Sequence, residues 1–319
     1  MVLSKKYYSL FTREENGNQA IILAYVDNLL ITGYDVKAIK HLELSLDNEF
    51  TIKDLSELSF FLGTEIDING DGTLLNQRKY IVDILKDNGI DNCKITRLPF
   101  LEGMKLSTVS GEVLENPETY RRIIGRLLYL NITRPYISFS VQQLSRFMQC
   151  PRKPHLQETL HAIKYLKGTI HWGLFYPKTS ELKVEGYSNE DWGSCAFSAK
   201  FLTGFCIFIG RSIVSWKTKK QKTVSKSSIE AEYRSMSHTT SEIVWVYDIL
   251  KTVNGLYRAG VPRYYSCLVK LATSRHHDKV SHSTPAQLSL FQVGSSDRSP
   301  TPTWLFTYVR IFLGIAVQE

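Results

Sequence analysis

Between Gly186 and Met236 the chain changes its hydrophobic period, and that change limits what the region can fold into. The stretch opens with Gly186-Tyr-Ser-Asn-Glu-Asp191-Trp192. Two further β-like runs follow, Thr203–Ile209 and Ile213–Trp216. Both are short, apolar and rich in β-branched or aromatic residues, the pattern of strands. Next comes a basic segment, Lys217-Thr-Lys-Lys-Gln-Lys222, and then Ser227-Ser-Ile-Glu230-Ala-Glu232-Tyr233. The order is strand, strand, strand, cationic turn, acidic helix. The expected fold class is α/β (α+β), with a mixed sheet and flanking helices.

The helix can be placed. Ser227 with Glu230 three residues later predicts a capping box at its start. Ile229, Tyr233, Met236, Ile243, Tyr247 and Leu250 predict one apolar stripe. At about 100° per residue, Glu232 falls on the flank of that stripe, toward the sheet, and Glu230 falls toward water and the cap. Glu232 reads either as a site carboxylate or as a solvated helix carboxylate; the pattern allows both.

The segment GYSNEDWGSC, with LTGFCIFIGRSIVSWKTKKQKTVSKSSIEAEYRSM, resembles the ribonuclease H segment of copia-type LTR-retrotransposon polyproteins. That family reads GYSDADW at the first site, and its first metal-binding carboxylate is the Asp after Tyr-Ser. Asn189 stands there in this chain, whereas Glu232 matches the family's Glu. The family's next acidic residue lies in a strand reading roughly LYCDN. The matching run, Val261-Pro-Arg-Tyr-Tyr-Ser-Cys267-Leu268, has no Asp. The resemblance implies Mg²⁺ or Mn²⁺ as the cofactor, and two of the three carboxylates that it calls for are missing. Two-metal hydrolysis needs anionic oxygens that hold both ions and position water. An amide oxygen at Asn189 is a poorer ligand for Mg²⁺ than a carboxylate. Asp191, two residues on, falls on the same strand face and is a further metal candidate. The expectation is an inactive nuclease site.

The same resemblance runs through the N-terminal half. Two apolar runs flank Glu14-Glu-Asn-Gly-Asn18 and predict a hairpin. The second continues as Tyr25-Val26-Asp27-Asn28, which is similar to the YVDD box of a reverse transcriptase palm. By that likeness Asp27 and Asn28 occupy the two Asp positions, so Asn again replaces Asp. The family's other palm Asp lies well upstream of this box, together with the fingers. Met1 begins about one hairpin before Tyr25, so the expected polymerase centre is a half-site.

Val36–Phe50 predicts a helix with Ile39, Leu42 and Leu46 inward. Phe60–Asp67 predicts one strand, and Gln77–Gly89 a helix ending at glycine. Asn116-Pro117-Glu118 is an N-cap followed by Pro at the first helical position. The helix behind it carries Arg121, Arg122 and Arg126, and further helices run to about Met148 and from His155 to Lys167. Tyr120–Leu130 and Thr133-Arg-Pro-Tyr136 resemble the family's thumb and connection, with Tyr136 where the family commonly has Asp. Backbone contact with nucleic acid through Arg121, Arg122 and Arg126, and through Lys217, Lys219, Lys220 and Lys222, is one reading of these cations. Solvated side chains are the other. His155, His161 and His171 lack metal-ligand spacing and read as structural.

The chain has 319 residues, 43% hydrophobic and 22% charged, with net charge +8. This suits a globular protein of several units, and the basic balance is compatible with nucleic acid. The five cysteines have no C-x-x-C spacing, which argues against a zinc site or a disulfide framework. No signal peptide and no apolar run of about 18 residues is read, so an intracellular, non-membrane chain is expected, in nucleus or cytoplasm.

The expected organisation is a palm remnant over 1–98, a helical thumb and connection over 116–175, a ribonuclease H-like unit over 181–265, and a divergent, partly disordered tail over 266–319. The resemblance covers roughly Leu23 to Arg263. It implies RNA-directed DNA synthesis and hydrolysis of RNA–DNA hybrid, with hybrid as partner and no small-molecule cofactor. The missing carboxylates imply that this copy does neither. The alternative is a non-catalytic nucleic-acid-binding module that uses the basic thumb and hairpin.

Overall fold

The computed structural model describes residues 2–4, 7–15, 18–25, 28–33, 36–50, 52–101, 103–104, 106–178, 183–191, 202–221, 224–225, 227–257, 267–271 and 288–293. It starts with a meander of β1 (Val2–Ser4), β2 (Tyr7–Glu15), β3 (Asn18–Tyr25) and β4 (Asn28–Gly33). Helix α1 (Val36–Glu49) then leads to β5 (Ile52–Glu57). Ile39 and Leu42 of α1 are buried against Ala20, Ile22 and Ile31, as the period of the sequence predicts.

The Phe60–Asp67 run is not one strand. It folds as β6 (Phe60–Phe61) and β7 (Thr64–Asn69), joined by a two-residue turn at Leu62-Gly63. Both turn residues have positive φ, 48° and 73°, the twist a tight hairpin needs. A left-handed leucine is unfavourable on its own. Tyr129 donates its hydroxyl to the Leu62 carbonyl, and a Cβ on Gly63 would lie 2.2 Å from that hydroxyl. The turn is therefore held from outside, which no local signal reveals. Strand β8 (Gly72–Asn76) follows and pairs with β7.

Helices α2 (Arg78–Asp87), α3 (Pro117–Leu130), α4 (Ser138–Ser145) and α5 (Lys153–Gly168) share one apolar core, in which Ile81, Ile84, Ile124, Leu127, Val141 and Ile163 are fully buried. Each such side chain contributes about 1.5–3 kcal/mol by leaving water. Asn116 caps α3 by accepting from the Glu118 amide at 3.0 Å, with Pro117 at the first turn. Arg134 is completely buried and donates to the carbonyls of Thr169 and Ile170, at 2.7 and 2.9 Å. Those carbonyls follow the end of α5, so the guanidinium caps that helix and meets the negative end of its dipole. His155 is also buried: it accepts from the Arg152 amide, and its Nε2 lies 3.0 Å from the Ser107 carbonyl. His161 reaches the Leu98 carbonyl in the same way, so both have the structural role expected from sequence.

The chain returns through β9 (Leu174–Pro177), which pairs with β8, and enters β10 (Val184–Asp191), β11 (Leu202–Ile209) and β12 (Ser212–Lys220). The long helix α6 (Ser228–Tyr257) crosses to β13 (Cys267–Leu271). This sheet has the order β12-β11-β10-β13, antiparallel except for the parallel β10–β13 pair. The region expected to be a divergent tail thus carries two strands: β13, and β14 (Leu288–Val293), which lies in the N-terminal sheet between β4 and β5. A buried cluster that includes Leu23, Phe61, Leu75, Tyr176, Ile207 and Val246 joins all three sheets. Among the described residues no helix is long and apolar enough to cross a membrane.

Candidate nuclease-type site at the β10–α6 contact

Along β10, residues alternate between the two faces of the sheet. Val184, Gly186 and Ser188 are buried, whereas Asn189 is exposed. A Cβ at Gly186 would stand 2.4 Å from Ile243 Cδ1 and 3.2 Å from Thr239 Cγ2. Glycine here lets α6 lie close on β10. The face of α6 turned to the sheet is correspondingly small at its start: Ala231, Ser235 and Thr239 are buried, followed by Ile243, Val246 and Leu250.

This corrects the expected stripe. Ile229 and Tyr233 are 62% and 67% exposed, and Tyr247 is exposed too. The pattern of large apolar residues points to one side of the helix, but the close approach at Gly186 admits only small side chains on the side that packs. Ile243 and Leu250 are buried as expected.

The start of α6 is fixed by several polar contacts. Ser227 accepts from the Glu230 amide at 3.1 Å, as the capping pattern predicts. The Glu230 carboxylate takes Arg234 at 2.7 Å. Gln221, buried, donates to Thr203 Oγ1 at 2.9 Å and to the Ala231 carbonyl at 3.3 Å, and accepts from Ser225. That amide ties β11, the end of β12 and the first turn of α6 together. Nothing local marks Gln221 as a tie, and for the close contact at Gly186 the available signal is a glycine inside a strand.

The elements that carry Asn189 and Glu232, β10 and α6, meet through Ser235. The Ser235 hydroxyl donates to the Asn189 carbonyl at 3.3 Å. Glu232 lies one turn before Ser235 on α6. Its side chain is exposed and makes no hydrogen bond or ion pair with the described residues. The Asn189 side chain is likewise exposed. Asp191 ends β10 opposite Leu202, but its side chain lies outside the described residues. Among the described residues no group of three or more His, Cys, Asp or Glu converges.

At the other candidate centre, Asn28 opens β4 directly across from Tyr25 and is half-buried, while Asp27 lies outside the described residues.

The cations separate into two kinds. Arg121 donates to the Met148 carbonyl at 2.9 Å and pairs with Glu118 at 2.5 Å. Arg126 pairs with Asp87 and lies 5.3 Å from the Tyr80 ring centroid. Arg122 is exposed and unpaired among the described residues. Lys217 and Lys219 are exposed on one face of β12, and Lys220 ends that strand. The expected cationic turn is therefore, through Lys220, the continuation of an edge strand. Lysine commonly protects such edges from pairing. The side chain of Lys220 and all of Lys222 lie outside the described residues.

Comparison with known proteins places this chain. Residues 3–102 match the family described as reverse transcriptase (RNA-dependent DNA polymerase). The retrovirus-related Pol polyprotein from transposon RE1 of Arabidopsis thaliana is 39% identical over 242 residues, 76% of this chain and 16% of that protein. The corresponding polyprotein from transposon TNT 1-94 of Nicotiana tabacum is 30% identical over 286 residues, 85% of this chain and 21% of that protein. The uncharacterized mitochondrial protein AtMg00810 of Arabidopsis thaliana is 38% identical over 225 residues, 70% of this chain and 93% of that protein. No solved structure matches. The chain belongs to the retrotransposon Pol polyprotein family and carries sequence of its reverse transcriptase domain. It spans about a sixth of the RE1 polyprotein. Reverse transcriptases of this family use divalent metal ions and bind nucleic acid.

Proposed function

We propose that the chain is a copia-type reverse transcriptase palm segment over 1–98, a helical thumb and connection over 116–175, and a ribonuclease H-like unit over 181–265, and that neither centre is active. RNA-directed DNA synthesis and hybrid hydrolysis are the activities of the lineage; this copy retains the scaffold. The observation that carries the reading is the juxtaposition at the β10–α6 contact. A helix that connects β12 to β13 lies on the central strand β10, and Ser235 joins it to Asn189 one turn from Glu232. That is the strand-and-helix pairing on which a ribonuclease H-type site is built, and here the strand supplies an amide. Asn28 in the palm hairpin carries the same exchange of a carboxylate for an amide.

The test is Mn²⁺ titration of the full chain by calorimetry, beside Glu232→Gln. The expected result is weak, non-stoichiometric binding that Glu232→Gln leaves unchanged. Two-ion binding lost in Glu232→Gln would overturn the reading.

A further inference from the structure

Strand β14 pairs antiparallel with β4 on one side and with β5 on the other. Strands β4 and β5 therefore run parallel, with a channel one strand wide between them. They are consecutive in the chain, joined by α1, which contacts both. The resident of the channel comes from far away: β5 ends at Glu57 and β14 begins at Leu288. Contacts of such long range carry a larger loop-closure cost than the local contacts among β3, β4 and α1.

The two walls grip unequally. Against β4 the register is regular over Leu288↔Thr32, Ser289↔Ile31, Leu290↔Leu30, Phe291↔Leu29 and Gln292↔Asn28. Against β5 it shifts between Ser289 and Phe291. Without the insert both walls would present unpaired backbone N–H and C=O groups, a template for any added strand. The insert itself, Leu288-Ser-Leu-Phe-Gln-Val293, has no charge, proline or glycine, and Pro285 and Gly294 bracket it. Uncharged six-residue strands of this kind pair readily with an exposed strand edge. Residues 272–287 connect β13 to β14, and at about 3.3 Å per residue they allow long reach.

We propose that the β4–β5 channel is a strand-acceptor groove, filled within the chain by Leu288–Val293 and open to exchange with the same strand of a second copy. Tethering favours the intramolecular insert in dilute solution, and concentration favours exchange.

The test uses the full chain carrying Asn28→Cys and Gln292→Cys, positions paired in the register. Light and heavy isotope-labelled forms are mixed and oxidised, and the cross-linked peptides are read by mass. At about 1 µM the linkage is expected within one chain; at several hundred µM, on the order of the effective concentration of a tether, mixed-mass linkages are expected as well. Absence of the linkage at both concentrations, or linkage confined to single chains at both, would overturn the proposal. A second measurement uses the full chain with Leu290→Pro, which removes a ladder donor from the insert. A labelled peptide spanning Ala286–Gly294 is expected to bind that variant at least tenfold more tightly than the unmodified chain. Equal affinity would contradict an acceptor groove.

Discussion

The helical unit and the β10–β12 sheet both carry clusters of positive charge, and they use it in opposite ways. In the helical unit the guanidinium groups close the fold: Arg134 caps α5, Arg121 holds the Met148 carbonyl beyond α4, and Arg126 clamps α2 to α3. On β12 the ammonium groups of Lys217 and Lys219 stay in water on an edge strand. A planar fork with five donors suits several carbonyls at once, whereas a flexible point charge does not. A tally of basic residues cannot tell these apart. The spacing of Arg121 and Arg126 on one helix suggests a nucleic-acid face, yet each is committed to neighbours remote in sequence.

Substitutions should expose this contrast. The largest loss is expected for Arg134→Met, which takes the guanidinium from the Ile170 carbonyl and leaves the Thr169 carbonyl only the Trp172 amide; about 3 kcal/mol should disappear in urea unfolding. Gly186→Val places methyl groups where Ile243 stands, and the overpacking should cost about 2 kcal/mol by the same measurement. Arg126→Ala removes a half-buried pair and a ring contact and should cost about 1 kcal/mol. Lys217→Ala and Lys219→Ala should each change stability by less than about 0.5 kcal/mol. If the arginine and lysine variants were equally destabilised, the distinction between the two regions would fail.

Proton linkage sharpens the contrast from another side. Burial holds the His155 imidazole below its ordinary pKa, so the folded state keeps it neutral while the unfolded chain takes up a proton. Stability is then undiminished above about pH 6.5 and falls as pH drops below the unfolded value. The melting temperature should decrease between pH 7.5 and pH 5.5, and by less in His155→Gln. In the same unit, burial and the neighbouring Tyr80 push the Tyr129 hydroxyl up to about 12, so it remains the donor that secures the Leu62 turn.

Much of the local structure is legible in the residues. Asn116-Pro117 starts α3 where the capping pattern predicts, Ile39 and Leu42 face inward on α1, and Ser227 caps α6. The features that escape are those in which a distant group decides. Leu62-Gly63 turns because Tyr129 holds it, and nothing in Leu-Gly signals a hairpin. The inward face of α6 is set by the space above Gly186, not by where its large apolar residues lie. The strand at Leu288–Val293 follows a Ser- and Pro-bearing stretch and finds its partners at the far end of the chain. For the site, Glu232 is exposed where the helical period turned it toward the sheet, and Asn189 was legible only through likeness to a family motif. The Ser235 contact and the Gln221 tie that bring their elements together were not.

The most direct measurement is cleavage of a labelled RNA–DNA hybrid by the full chain in Mg²⁺ or Mn²⁺, with Glu232→Gln as control and Asn189→Asp beside it. The account predicts no cleavage above the control, and no recovery from Asn189→Asp alone, because the run Val261–Leu268 supplies no Asp. Cleavage by the unmodified chain that Glu232→Gln abolishes, or full activity from Asn189→Asp, would contradict it.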